Sequence, residues 1–353
     1  MGTHAQWYLG AGYQHGYNLP LYDRSPETTR SSPFAHISLR YESQGLFGIV
    51  EQIYGNPTMS IQLGLQNLGN DDVMGNAFTI HPDFKFPLKQ WRRWSWLWSG
   101  GLGLGWVTEP FDKATNPENQ ALGTHVNIYA QIQMNLEYRL SEDWIICAEG
   151  GMHHLSNSFF SYPNLGVNIP SGGLSLYRRI GEKKDREDNV YSPTEYDQKT
   201  PWRPFVRVIY GVTERAFDGP YFAVYGAGAG VTKKFRIHQQ LTVGAEYLFD
   251  ESRYNFLIHV NGKETGEEFN RASRYVLFVG HEYLIKHFSF LTEFGVYLKK
   301  QYDRQSLIST KAGFAIYPFN NLTKWKNQLS VGAYIRAYFL RADFFEIALN
   351  YRV

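Results

Sequence analysis

The sequence predicts an all-β membrane protein, a single closed antiparallel transmembrane β-barrel of about 14 to 16 strands. The chain has 33 Gly, 25 Tyr, 24 Phe and 9 Trp, yet its mean hydropathy is negative. A membrane barrel needs apolar residues only at every second strand position, so this combination is typical of it. No apolar run reaches the roughly 18 residues that a transmembrane helix requires. Long segments with a period of two are the third observation.

The clearest of these segments runs from Leu122 to Leu140. Its even positions are apolar except for Thr124, and its odd positions are mostly polar. A strand of a soluble sheet has about 5 or 6 residues, whereas a strand that crosses a bilayer at a tilt needs about 9 to 11. We therefore expect the apolar set to face lipid: Leu122, Val126, Ile128, Ile132, Met134 and Leu136.

The same period recurs in about 16 segments, which start near residues 5, 33, 58, 73, 94, 121, 144, 168, 203, 219, 239, 273, 288, 307, 327 and 342. Trp94, Trp96 and Trp98 share one face of the fifth segment, as residues of an interfacial aromatic girdle do. Bacterial barrels have even strand numbers, and a count of 14 is the alternative, because the stretch around residues 33–60, with the starts near 33 and 58, is the least certain. A soluble β-sandwich or propeller is the alternative, but soluble sheets rarely sustain so many long alternating strands.

Two charged stretches interrupt the alternation, and we predict both to be solvated loops. They are Gly181–Trp202 and Asp250–Ser273, and the first leaves eight segments on either side. We nevertheless expect residues 1–353 to form one barrel, because an open half-barrel would leave strand edges unpaired in lipid. Residues 1–180 then form the half that carries the motif described below, 181–202 a charged loop, and 203–353 additional strands.

Composition also narrows the function. A net charge of +2 gives no reason to expect nucleic-acid binding. Cys147 is the single cysteine, so an intramolecular disulfide is excluded, and no Cys/His spacing of a metal site is present. Met1-Gly2 leads almost directly into the first strand, so we expect a secretion signal to have been removed.

One segment places a base beside a nucleophile. From Trp144 to Met152 every second residue is apolar or small, and His154 and Ser156 follow on that same face. Side chains two apart on a strand point the same way, so an imidazole would lie beside a hydroxyl on a greasy surface. His153 points to the opposite face, and we expect it to be structural.

Hydrolysis by a serine also needs a group that orients the imidazole and donors for the oxyanion. Asn157 offers an amide donor next to Ser156. Asn168 opens the next segment, where a hairpin would bring it against His154. His-x-Ser alone is a weak motif, and the alternative is an ordinary polar strand end at the membrane interface.

The longer pattern is more specific. His154-Leu155-Ser156-Asn157 is followed by Pro163-Asn164-Leu165-Gly166. This resembles the signature of outer-membrane lipid A 3-O-deacylases of the PagL type. The wider similarity covers roughly residues 50 to 180, and Gly105–Thr108, Asn116–Asn119 and Gly123–Asn127 look like segments of larger family members from Bacteroidetes-type bacteria.

The resemblance implies a serine esterase of the bacterial outer membrane that removes an ester-linked acyl chain from lipid A without a cofactor. By this match His154 is the base, Ser156 the nucleophile and Asn168 the third member, while Asn157 and Asn164 serve the oxyanion or substrate. Smaller family members carry a glutamate in the third position. An asparagine can hold a histidine tautomer, but it cannot stabilise an imidazolium by charge, so we expect a slower enzyme or none.

Two other functions stay open at this stage. One is a non-catalytic barrel, a pore or an outer-membrane assembly partner, that retains a relic of the motif. The other is an esterase that acts on phospholipid, since the nucleophile's chemistry is the same. Smaller family members have no counterpart of residues 203–353, and no feature of the sequence identifies a protein partner.

Overall fold

The computed structural model describes residues 4–19, 26, 31–44, 54–158, 160–181, 201–216, 219–236, 238–262, 265–285, 287–299, 306–319, 328–338 and 341–353. These ranges contain sixteen antiparallel strands and two short helices. The described helices are all too short and too polar to cross a membrane. The chain divides into two compact units, one around each of the two barrels described next.

The first eight strands form one closed barrel in which each strand pairs with the next. β8 pairs in turn with β1, for example Tyr13 with Leu174, and this pairing closes the cylinder. The strands are β1 His4–Tyr17, β2 Ser31–Gln44, β3 Thr58–Asn67, β4 Asn76–Trp91, β5 Trp94–Val107, β6 Val126–Arg139, β7 Trp144–Ser156 and β8 Val167–Ile180.

The last eight strands form a second closed barrel, completed by the pairing of β16 with β9, for example Leu349 with Val208. The strands are β9 Arg203–Thr213, β10 Phe222–Arg236, β11 Gln239–Asp250, β12 Ser273–Ile285, β13 Phe288–Tyr297, β14 Ile308–Ile316, β15 Gln328–Tyr338 and β16 Arg341–Arg352. Two helices, α1 (Glu251–Asn261) and α2 (Glu268–Ala272), connect β11 to β12.

The all-β antiparallel prediction and the count of sixteen strands are confirmed, but the prediction of one barrel is wrong. We expected a single barrel because a half-barrel leaves two unpaired edges in lipid. Each set of eight strands closes on itself, because its first and last strands pair with one another. Neither barrel therefore has an unpaired strand edge. Alternation of side chains determines which way each residue faces, not which strand closes a barrel.

The expected facing of β6 is confirmed except at its predicted start. Exposed apolar residues alternate with buried polar residues along the strand, and the most exposed side chain, Ile132, is 68 % accessible. Leu122 is the exception: it is fully buried and belongs to the loop before β6. It packs in an apolar cluster whose other members include Leu68, Met74 and Val107. The alternation of apolar and polar residues in the sequence extends into this loop, although the strand itself begins only at Val126.

The two charged stretches have different outcomes. Asp250–Ser273 connects β11 to β12, and the predicted loop contains the two helices α1 and α2. The Asp250 side chain caps α1 by accepting from the backbone N–H groups of Ser252 and Arg253, and Gly262 ends the helix with a positive φ of 68°. In Gly181–Trp202, residues 182–200 lie outside the described residues.

Ion pairs fill the interior of the first barrel. Arg40 donates to both carboxylate oxygens of Glu137, at 2.7 and 3.1 Å. The Lys85 ammonium lies 3.7 Å from Glu137 and 3.4 Å from Glu149. All four side chains are buried, which favours a filled interior over a wet channel.

The second barrel contains a denser network of the same kind. Glu246 contacts three cations, at 2.6 Å from Arg207, 2.8 Å from Lys311 and 2.6 Å from Arg336. Glu293 and Glu346 complete it, the first by binding Arg207 and Lys311, the second by binding Lys311 and Arg336. Three positive and three negative side chains are thus paired and buried together.

Candidate active site

Strand register brings His154 and Asn168 together. The two residues are direct partners in the β7–β8 hairpin, and both belong to the outward-facing set of their strands. The imidazole Nδ1 lies 2.9 Å from Asn168 Oδ1. The hairpin expected from the sequence therefore forms in the register that the interaction needs.

Ser156 lies two residues further along β7, on the same face as His154. Its Oγ is 2.9 Å from His154 Nε2. The serine is only 4 % exposed, although its strand position faces outward. The turn between β7 and β8 partly covers it.

The hydrogen bonds specify one arrangement of protons in the neutral histidine. An amide oxygen only accepts, so the proton lies on Nδ1 and is donated to Asn168. Nε2 then has a free lone pair and accepts the Ser156 hydroxyl proton. This tautomer is the one that a general base needs.

Asn157 and Asn164 are joined by one hydrogen bond. The Asn157 backbone N–H donates to Asn164 Oδ1 at 2.9 Å, so that N–H is already occupied. The Asn157 side chain remains as a donor, with Nδ2 3.4 Å from Thr124 Oγ1. The two predicted oxyanion residues thus have different contacts: the Asn157 side-chain nitrogen faces Thr124, and the Asn164 side chain holds the backbone of Asn157.

Gly166 is the glycine of the motif, and its role is steric. Its φ is +73°, in the left-handed region that disfavours a side chain. A Cβ at this position would lie 3.1 Å from His154 Cε1 and 3.5 Å from Ser156 Cβ. A side chain at residue 166 would therefore be strained by the backbone and crowded against the His154 ring.

The β5–β6 loop (residues 108–125) supports that turn, and the sequence did not show this. Leu165 N donates to Gln120 O at 3.4 Å, and Gly166 N donates to Ala121 O at 3.0 Å. Asn119 holds the same part of the loop, because its Oδ1 accepts from the backbone N–H of Ala121. The sequence places the start of a strand near residue 121, whereas β6 begins at Val126 and residues 121–125 belong to this loop.

His153 lies on the other face, as expected. It is fully buried inside the first barrel, where its ring contacts the Tyr129 hydroxyl and lies 3.0 Å from Gln14 Oε1. Cys147 is a buried free thiol in the same interior. Within the described ranges, no three His, Cys, Asp or Glu side chains are placed to hold a metal ion.

The surface beside the site is apolar. On β6, Ile128 pairs with Ser156 and Ala130 with His154. Met152 and Ile132, the next outward residues on β7 and β6, are exposed. The outer surface next to His154 and Ser156 is therefore apolar along β6.

Comparison with known protein families gives two matches. The lipid A 3-O-deacylase (PagL) family matches residues 11–177, and the C-terminal domain of acyloxyacyl hydrolase (PagL_C) matches residues 203–353. Together they cover most of the chain. No curated protein matches the sequence significantly.

Similar solved structures include three outer-membrane proteins. Neisserial surface protein A is 11 % identical, with a TM-score of 0.29 over 49 % of this chain and 96 % of its own. A BenF-like porin from Pseudomonas fluorescens Pf-5 is 10 % identical, with a TM-score of 0.24 over 99 % and 98 %. OccK11 (OpdR) from Pseudomonas aeruginosa is 10 % identical, with a TM-score of 0.20 over 99 % and 95 %.

Proposed function

We propose, from the premise that this chain belongs to the lipid A 3-O-deacylase (PagL) family of outer-membrane hydrolases, that it removes an ester-linked acyl chain from lipid A with Ser156 as nucleophile. The observation that carries the proposal is the chain of contacts Asn168–His154–Ser156, with 2.9 Å at each step. Lipid A, within lipopolysaccharide in the surrounding membrane, is the proposed substrate.

The proposed reaction has two steps. Ser156 Oγ attacks the ester carbonyl carbon while His154 Nε2 takes the hydroxyl proton, and the protonated ring then donates that proton to the departing sugar-linked oxygen. Water next attacks the acyl-serine with His154 again as base, which releases the fatty acid and restores the hydroxyl. The Asn157 side-chain N–H stabilises the negative oxygen that forms in both steps.

A lipid substrate suits the position of the site. The nucleophile faces outward, and its β6 neighbours are apolar. An acyl chain would therefore approach Ser156 from the outer surface of the barrel and not through its interior. A phospholipid ester would approach the same hydroxyl in the same way, so the experiment below includes one.

The interiors of both barrels argue against the alternative of a pore. A channel is lined by side chains in contact with water, whereas Arg40, Glu137, Arg207 and Glu246 are buried in ion pairs. This favours barrels that act as scaffolds for surface chemistry.

The test is hydrolysis of lipid A by the purified full-length protein in detergent micelles, followed by mass spectrometry of the lipid. We expect loss of one acyl chain with the wild type, and a rate at least about 10³-fold lower with Ser156→Ala. His153→Gln is the matched control, because it changes the adjacent histidine on the inner face. It should retain most of the activity.

Each outcome decides between the candidates. Release of fatty acid from a phospholipid, with lipid A unchanged, would favour the phospholipid esterase. An inactive wild type, or a Ser156→Ala variant as active as the wild type, would refute the mechanism. Equal loss in His153→Gln and His154→Gln would contradict the assignment of the two histidines to opposite faces.

A further inference from the structure

Thr124 lies at the junction between the β5–β6 loop and β6, and the mechanism above does not use it. It belongs to Gly123–Asn127, the segment that we had placed in a membrane-spanning strand. The structure places it beside the site, with its Oγ1 3.4 Å from Asn157 Nδ2. Thr124 is thus the one described side chain that hydrogen-bonds to the Asn157 carboxamide.

The Thr124 hydroxyl is itself held in place. It donates to Val126 O at 2.8 Å, the nearer of two acceptors, since Asn127 Oδ1 is 3.4 Å away. The buried Asn127 side chain donates back to Thr124 O at 2.7 Å. Because its single hydrogen is already donated, the oxygen presents its lone pairs to Asn157.

This arrangement determines how the Asn157 carboxamide is turned. The atom that faces Thr124 Oγ1 must be a donor, so it is the amide nitrogen. A carboxamide is planar, and fixing one N–H of the –NH₂ group therefore fixes the direction of the other. The Asn157 backbone is held separately by Asn164. The second side-chain N–H is consequently held in one direction before substrate binds.

We propose that Thr124 is a positioning residue, which aims the second Asn157 N–H at the oxyanion of an ester bound to Ser156. The proposal rests on the proposed function, since it needs an oxyanion to form there. Donors that are already oriented cost no reorganisation when charge develops, so their alignment affects the transition state more than substrate binding.

A purely structural role of the Thr124 hydroxyl is the competing explanation. Other contacts already anchor this part of the loop: Val107 N donates to His125 O at 2.7 Å, and His125 Nδ1 lies 2.8 Å from Val107 O. The Trp106 and His125 rings also stack, with centroids 4.8 Å apart. Loss of one hydroxyl should therefore leave the loop folded.

The experiment compares kcat and KM for lipid A in the full-length protein. Thr124→Val removes the hydroxyl at nearly constant volume, Thr124→Ser retains it, and Thr115→Val changes an exposed threonine of the same loop as a control. We expect Thr124→Val to lower kcat about 10-fold with KM unchanged, since a misaligned donor costs less than the roughly 10²- to 10³-fold of a deleted one. Thr124→Ser and Thr115→Val should stay close to the wild type.

A second comparison separates positioning from general damage. If Thr124 acts through Asn157, Thr124→Val should have no further effect in an Asn157→Ala background. An equal loss in both backgrounds, or an unchanged kcat in Thr124→Val, would overturn the proposal while leaving the deacylase intact. A wild type without deacylase activity would overturn both. If Thr124→Val does not give the folded form in unheated gel electrophoresis, Thr124→Ala replaces it in the same cycle.

Discussion

Asn168 is the residue by which the proposed site differs from a conventional triad with a carboxylate. It accepts a hydrogen bond from His154 Nδ1 and so fixes the ring, but it brings no charge to the imidazolium that forms when Ser156 loses its proton. Orientation and charge stabilisation, which one carboxylate supplies in a conventional triad, are therefore separable here.

Two substitutions measure these effects separately. Asn168→Ala frees the ring to rotate, and we expect kcat for lipid A to fall about 10²-fold. Asn168→Asp has nearly the same shape and adds a negative charge 2.9 Å from Nδ1. It should raise kcat, and it should move the acid limb of the pH–rate profile to higher pH, because the protonated ring becomes more stable.

Steady-state rates over a range of pH check both expectations. Full activity in Asn168→Ala would show that another group orients His154. An Asn168→Asp variant with an unchanged pH profile would show that the added charge does not act on the ring.

Among the structural elements, the β7–β8 turn depends on Gly166 for two reasons, its positive φ and its closeness to His154. Gly166→Ala should cost about 1 kcal/mol of stability from the left-handed backbone, and it should also lower kcat at least about 10-fold by displacing the imidazole.

Gly181→Ala is the matched control for this change. Gly181 has a similar φ of +84°, but no heavy atom lies within 4 Å of the Cβ position. It should show the same loss of stability in urea titrations with normal kcat. Equal activity of the two variants would show that crowding at His154 has no catalytic consequence.

The loop that carries α1 and α2 makes a separate prediction about pH. Hydrogen bonds from the Thr265 hydroxyl, together with those from the Asn261 side chain and the Thr265 backbone N–H, lower the pKa of Glu268 to about 2. The folded value lies below the ordinary value of 4.5. The contribution of Glu268 to the order of this loop is therefore complete above about pH 4.5, and it is lost as pH falls towards 2.

The ¹³C shift of the Glu268 carboxyl checks this prediction, with Glu268→Gln used to assign the resonance. Titration near pH 2 is expected, whereas a midpoint near the ordinary value would contradict the network. Loss of the Thr265 hydroxyl in Thr265→Val should move the midpoint upward.

Sequence periodicity predicted the strands well for a physical reason. A barrel wall separates a polar interior from lipid, so every strand must alternate, and β5, β7 and β12 begin at the residue where their alternation begins. Leu122 shows the limit, because a buried loop residue can continue the pattern by chance. Thr124 shows the same limit, because it also continues the alternation but lies in the loop before β6, where it contacts Asn157.

The site was predictable in part because it is local. His154 and Ser156 are two residues apart on β7 and so share a face, and the register of the β7–β8 hairpin places Asn168 opposite His154. Residues 119–124 of the β5–β6 loop support the site through contacts with the β7–β8 turn and Asn157. The alternation of the sequence does not predict these contacts between a loop and a turn. The family resemblance supplied roles that the residue pattern alone did not.

At the scale of the whole molecule, the division into two barrels follows from closure rather than from hydrophobicity. Eight strands leave an interior just wide enough for side chains to fill it. The buried ion pairs of each interior satisfy one another across several strands, as Arg40 and Glu137 do from β2 and β6. One cylinder of sixteen strands would be wider and would leave such charges facing water.

Glu246 tests this account of the second barrel, since it contacts three buried cations from three strands. Glu246→Gln keeps the shape and removes the charge, so positive charge is left uncompensated in a buried site. We expect the free energy of unfolding to fall by about 3–5 kcal/mol.

Glu267→Gln is the control. It lies at an exposed position before α2 and should change the free energy of unfolding by less than about 0.5 kcal/mol. Urea titration of the full-length protein in lipid vesicles, followed by circular dichroism, measures both. A Glu246→Gln variant as stable as the wild type would mean that water reaches these cations, and the second barrel would then have to be considered as a channel.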